Sequence, residues 1–95
     1  MTLKQNFADQ LKAQSEIWQA QTKDYQERLE QASEQARAEY KKAVEKMQST
    51  AEEARKLAET TSSANEAAWK DMLAANQKAF AELQRGWADA VSRFQ

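Results

Sequence analysis

The sequence predicts an all-α fold, a long antiparallel helical hairpin or coiled coil that is oligomeric. Alanine, glutamine, glutamate, lysine and arginine, all strong helix formers, dominate the composition. The 95 residues include one glycine and no proline, so few chain reversals are expected within this single domain. Apolar residues also recur at mixed steps of three and four, which is the spacing of one helix face.

The first predicted helix covers about residues 3–47. Thr2 followed by Gln5 matches a capping box, a common pattern at helix N-termini. An apolar stripe follows at helical spacing, and the opposite face consists of charged residues and glutamine. The stripe includes Leu3, Phe7, Leu11, Trp18, Tyr25, Leu29, Tyr40, Val44 and Met47.

The predicted reversal lies at about residues 48–50. Ser49 and Thr50 each precede a glutamate by three residues, which gives two overlapping capping boxes. The second helix is then expected over about residues 51–94. A second candidate break lies at about residues 60–63, where consecutive threonines and serines are poor helix-interior residues.

A reversal near residue 49 brings bulky side chains of the two arms together. It pairs Leu3 with Phe94 and Trp18 with Phe80. A single unbroken helix that dimerises antiparallel about the same point gives identical pairs between two chains. Both arrangements therefore remain open: an intramolecular hairpin, or an extended helix in an antiparallel dimer.

The second half of the chain carries the larger apolar side chains. Its apolar sector is wider than a single helix–helix interface requires, so a further apolar partner is expected. That partner is either another subunit of a homo-oligomer or an external hydrophobic surface. The residues of this stripe are Trp69, Leu73, Phe80, Leu83, Trp87, Val91 and Phe94.

Composition argues against several functional classes. Histidine and cysteine are absent, so the usual neutral-pH base, the thiol nucleophile and the preferred metal ligands are missing. We therefore expect no enzyme, no cofactor and no metal site. The formal net charge of −1 argues against a nucleic-acid partner. Neither a signal peptide nor a transmembrane segment is recognisable, so a soluble, cytoplasmic protein is expected, one that can associate with granules.

One stretch of the second half resembles a known family. The segment LAANQKAFAELQRGWADA, residues 73–90, is similar to the phasins, helical proteins that coat bacterial polyhydroxyalkanoate granules. Phasins are likewise rich in alanine and glutamine, lack cysteine, and repeat phrases such as AANQKAF. The resemblance implies a non-enzymatic role, in which an amphipathic helical face adsorbs to a hydrophobic polyester surface.

Two functional hypotheses follow. In the first, the chain is a phasin-like protein that binds the surface of polyester granules or a lipid surface. In the second, it is a structural or adaptor coiled-coil protein whose apolar stripe is an oligomerisation core. Both use the same face, made of Leu3, Phe7, Leu11, Trp18, Trp69, Leu73, Phe80, Leu83, Trp87, Val91 and Phe94.

Overall fold

The computed structural model describes residues 2–94, which form three long α-helices. Helix α1 spans Leu3–Glu30, α2 spans Glu34–Ser63 and α3 spans Glu66–Ser92. The molecule measures 51 × 19 × 15 Å, so the helices run along its long axis and the chain reverses at each short connection. The predicted all-α class is confirmed over the described residues.

The predicted reversal at residues 48–50 is wrong, because α2 continues through it. Thr50 is buried in the middle of this helix, and its hydroxyl donates a 2.7 Å hydrogen bond to the carbonyl of Lys46. A threonine inside a helix can satisfy its hydroxyl on the carbonyl four residues earlier. The same residue types that begin helices are therefore accommodated here inside one.

Neither of the two reversals in the structure contains glycine or proline. The first lies between Glu30 and Glu34, where Gln31 keeps right-handed helical dihedrals and Ser33 adopts the extended N-cap conformation. The second lies at residues 64–65, directly after the predicted break at about 60–63. There the Asn65 side chain accepts a 2.8 Å hydrogen bond from the backbone N–H of Ala68 and caps α3.

Two reversals instead of one place α3 parallel to α1. The predicted pairing of Leu3 with Phe94 is consequently wrong, and Phe94 lies against Tyr25 with ring centroids 4.8 Å apart. The predicted pairing of Trp18 with Phe80 is found, at 6.3 Å. Both of these residues lie near the middle of their helices, where parallel and antiparallel arrangements bring the same side chains together.

Helices α1 and α2 approach each other most closely, whereas the backbones of α1 and α3 come close at only a few positions. Ala8, Ser15 and Thr22 recur every seven residues on α1 and are all buried. Helix α2 contributes buried alanines, including Ala51 and Ala54. Small side chains at heptad spacing let two helix backbones come together.

Helix α3 packs over this pair through larger side chains. One buried cluster consists of Trp18, Ala51 and Ala54, and a second consists of Ala43, Met47 and Ala90. Trp87 packs against both clusters. Phe80 and Leu83 complete the first cluster, whereas Tyr25, Val91 and Phe94 complete the second.

Polar side chains join neighbouring helices at each end of the molecule. The ammonium of Lys4 donates hydrogen bonds to the carbonyls of Ser62, at 3.2 Å, and Ala64, at 2.8 Å. A cation is favourable there because the last carbonyls of a helix lack partners and carry partial negative charge. At the opposite end, Arg93 contacts the carboxylate of Glu39 at 2.6 Å.

Candidate apolar binding face

Every aromatic residue of the chain contacts another aromatic residue, and all of them except Tyr40 of α2 lie along the seam between the first and third helices. The sequence holds three tryptophans, three phenylalanines and two tyrosines. We call this set the aromatic ladder. Its members are Trp69, Phe7, Phe80, Trp18, Trp87, Tyr25, Phe94 and Tyr40.

The first part of the ladder starts at the N-terminal end of α3. The ring of Phe7 lies 6.4 Å from that of Trp69 and 6.4 Å from that of Phe80, in tilted and edge-to-face geometry. Trp18 then stacks on Trp87 at 5.3 Å, with 14° between the two planes. Tilted, edge-on and offset stacked contacts are the arrangements that aromatic quadrupoles favour.

The second part of the ladder lies near the C-terminal ends of α1 and α3. Phe94 contacts Tyr25 at 4.8 Å and stacks on Tyr40 at 4.2 Å, which joins α3 to both other helices. The guanidinium of Arg28 lies 4.9 Å from the centre of the Tyr25 ring. A cation over a ring face is attracted by the ring's quadrupole, so Arg28 covers this end of the ladder.

Heptad spacing explains why these side chains lie on one seam. Phe80 and Trp87 are seven residues apart on α3, Phe94 follows after seven more in the turn beyond the helix end, and Trp18 and Tyr25 are seven apart on α1. Residues seven apart lie two turns apart on the same side of a helix. Because α1 and α3 are parallel, the two rows run side by side over the length of the molecule.

The residues of the ladder differ in their exposure to solvent. Trp18 and Trp69 are each only 4% exposed. Phe7, Phe80 and Trp87 are half-buried, as are Tyr25, Tyr40 and Phe94. Partly exposed rings therefore occur in two groups along the seam between α1 and α3.

The residues predicted for the apolar face do not share one environment. Leu11, Trp18 and Trp69 are buried, and Leu3 is 73% exposed at the start of α1. The other predicted residues are half-buried: Phe7, Leu73, Phe80, Leu83, Trp87, Val91 and Phe94. Tyr25 and Tyr40 are ladder members that the predicted face does not include, although both lie on the apolar stripe of the first half.

Three buried polar atoms have no hydrogen-bond partner within the described residues. They are the Thr61 hydroxyl oxygen, the indole nitrogen Nε1 of Trp69 and the amide nitrogen Nδ2 of Asn76. Buried polar groups in folded proteins are nearly always paired, so these atoms are exceptions that need an explanation. Sequence reasoning missed Asn76 as a functional candidate, although it interrupts the apolar stripe of α3 between Leu73 and Phe80.

The charged side chains form solvated surface pairs. Arg55 donates to Glu52 and also contacts Glu59, one turn away in each direction on α2. The hydrogen bond from Arg55 lowers the pKa of the exposed Glu52 carboxyl below its usual value. Among residues 2–94, no group of three or more acidic side chains is arranged to hold a metal ion.

Comparisons with known proteins find no matching family model, no matching curated protein and no matching solved structure. Within the described part of the chain, no helix combines the length and the apolar character needed to cross a membrane. The aromatic ladder is therefore the candidate binding site of this chain.

Proposed function

We propose that this chain is a non-enzymatic amphipathic helical protein that binds the surface of hydrophobic polyester (polyhydroxyalkanoate) granules, in the manner of phasins. The main support for granule binding is the arrangement of the aromatic residues. The aromatic side chains form two contacting groups along the α1–α3 seam, with Tyr40 of α2 at one end, and six of the eight are partly exposed. Partly exposed rings along one side of the molecule are an apolar surface that an external partner can cover.

The way in which α3 is attached supports adsorption by opening. Helices α1 and α2 are held by close packing of small residues, whereas α3 meets α1 through ring contacts and not through close backbone approach. Moving α3 away from α1 exposes both rows of rings. Adsorption then exchanges ring–ring contacts for ring–polymer contacts, so the apolar area removed from water is kept and extended.

The opposite surface suits a coat protein. The mean hydropathy of −0.97 and the charged content of 31% leave the faces away from the ladder strongly hydrated. The segment that resembles phasins, residues 73–90, lies within α3 and supplies Phe80 and Trp87 to the ladder. Resemblance and geometry thus point to the same face.

The alternative proposal is a structural or adaptor coiled-coil protein whose apolar stripe is the core of a homo-oligomer. The exposure of Leu3 (73%) and Ile17 (51%) favours some self-association, because both are large apolar side chains on α1. The ladder rings, however, already contact one another within one chain. They are thereby less available as an oligomer core than the rings of an unpaired helix.

Co-sedimentation with polyhydroxybutyrate particles tests the proposal. We expect the wild-type chain to bind and Phe80→Ser with Trp87→Ser to abolish binding, because the double variant removes the centre of the ladder. Ile17→Ser is the matched control, since it removes an exposed apolar residue outside the ladder, and it should bind like wild type. Circular dichroism establishes that each variant is folded.

The outcomes separate the two functions. A wild-type chain that ignores the particles and sediments as a stable oligomer supports the adaptor function and overturns granule binding. Full binding by a folded Phe80→Ser, Trp87→Ser variant would show that the ladder is not the binding face. Tryptophan emission that shifts on addition of particles supports direct burial of the ladder.

A further inference from the structure

We infer that Trp69 and Asn76 form a pair of hydrogen-bond donors that recognises the ester carbonyls of the bound polymer. This inference rests on the proposed function and adds its chemical selectivity. The aromatic rings alone would adsorb to any apolar surface. The two donors would make the face prefer a polyester over a hydrocarbon.

The first observation is that both donors are buried without a partner. Trp69 is 4% exposed and Asn76 is 7% exposed, and neither Nε1 of Trp69 nor Nδ2 of Asn76 has an acceptor among residues 2–94. Burying a polar group without a hydrogen bond is unfavourable. The closed bundle therefore contains two donors whose free energy improves when an acceptor is supplied.

The second observation is the position of the two residues. They are seven residues apart on α3, so they lie on the same face, two turns apart along the axis. Trp69 is a member of the ladder, and its ring contacts Phe7. Asn76 lies in the same stripe, one turn before Phe80. Both donor atoms are enclosed in the closed bundle, so a polymer surface reaches them only after α3 has moved away from α1.

The chemistry of the donors matches an ester surface. The indole nitrogen of tryptophan can only donate, and the Nδ2 group of asparagine supplies two further N–H donors. A polyester surface presents carbonyl acceptors along its chains and almost no donors. A hydrocarbon surface offers no acceptors, so adsorption there leaves the two groups unpaired in an apolar environment.

Matched particles of polyhydroxybutyrate and paraffin wax, of equal size, provide the test. The quantity measured is the ratio of the two affinities, because a variant that changes only the opening of α3 alters both affinities equally. We expect wild type to prefer the polyester. Asn76→Leu and Trp69→Phe should each reduce that preference about fivefold, which corresponds to the loss of one ordinary hydrogen bond.

Asn6→Leu serves as the control, because Asn6 is an exposed asparagine on α1 and its replacement should leave the preference unchanged. Asn76→Leu and Trp69→Phe keep apolar bulk at their positions, and a melting curve of each establishes folding. An unchanged preference in both folded variants would overturn the donor pair while leaving granule binding intact. Binding of wild type to neither particle overturns the proposed function, and the inference with it.

Discussion

Trp18 of α1 and Trp87 of α3 stack with ring centroids 5.3 Å apart and planes 14° from parallel. This stack joins the two helices at the centre of the molecule, where their backbones do not approach closely. Helices α1 and α3 therefore pack against each other mainly through side chains.

A double-mutant cycle with Trp18→Leu and Trp87→Leu should give a coupling free energy of about 0.5–1.5 kcal/mol, the value of an aromatic pair beyond its buried area. The measurement is the free energy of unfolding in urea. The pair of Trp87→Leu with Ile17→Ala, two positions on different helices that do not stack, should be close to additive. A coupling near zero for the tryptophans would mean that they do not stack.

Replacement of Lys4 by methionine should lower the free energy of unfolding by about 1 kcal/mol. The ammonium of Lys4 satisfies two carbonyls at the C-terminal end of α2, at Ser62 and Ala64, and methionine cannot. Lys12→Met is the matched control, because Lys12 is an exposed lysine of the same helix. Equal stability of the two variants in urea would contradict a capping role for Lys4.

Replacement of Gly86 by alanine should stabilise the protein by up to about 1 kcal/mol, because glycine is a poor residue inside a helix. A Cβ atom at this position would lie 3.0 Å from Cε of Lys46, which is the far end of a flexible side chain. Lys46 can move aside at little cost.

The double variant Gly86→Ala, Lys46→Ala separates the two effects. It should show the same gain over Lys46→Ala, or a slightly larger one, because the obstacle is then absent. Destabilisation by Gly86→Ala alone that disappears in the double variant would instead show that Lys46 is held in place. Thermal unfolding monitored at the helical circular dichroism band provides the comparison.

The Glu52 carboxyl should titrate below its ordinary pKa of 4.5, because Arg55 donates hydrogen bonds to it. A lowered pKa in the folded state means that the contribution of this pair to stability is present above the unfolded pKa. It is lost as the pH falls through the folded value. Carbon NMR titration should show the pKa rising towards normal in Arg55→Gln, and an unchanged value would contradict the assignment to Arg55.

A cross-link between α1 and α3 should prevent adsorption. Because the sequence contains no cysteine, Tyr25→Cys with Phe94→Cys introduces the only two thiols, at positions whose rings are 4.8 Å apart. A short bifunctional maleimide would then hold α3 against α1. The two substitutions remove two ladder rings and should weaken binding to polyester particles, and the reaction should lower it much further. Equal binding of the reacted and unreacted variant would exclude opening at this seam.

The helical class could be predicted from the sequence because it depends on local propensity and on periodicity. The positions of the reversals could not. Ser49 and Thr50 carry the residue pattern of a helix start, but the Thr50 hydroxyl is satisfied by the carbonyl of Lys46 inside α2. Gln31 and Ser33 make the first reversal without glycine, proline or a side-chain cap, so the sequence contains little signal there.

The residues of the apolar face were predictable from the stripe, whereas their partners were not. A prediction that misses one reversal gives α3 the opposite direction and therefore the wrong partners. Phe94, for example, is predicted to contact Leu3 but contacts Tyr25. Asn76 was visible as a polar residue in an apolar stripe. That its Nδ2 group has no acceptor within the described residues depends on three-dimensional packing, which the sequence pattern does not describe.

The up-down-up topology has a kinetic consequence. Most close backbone contacts join helices that are neighbours in the chain, α1 with α2 and α2 with α3. Helical domains with such local contacts fold in microseconds to milliseconds, and a chain without proline has no slow prolyl isomerisation to delay them. A molecule released from a surface would therefore return to its closed bundle soon after it detaches.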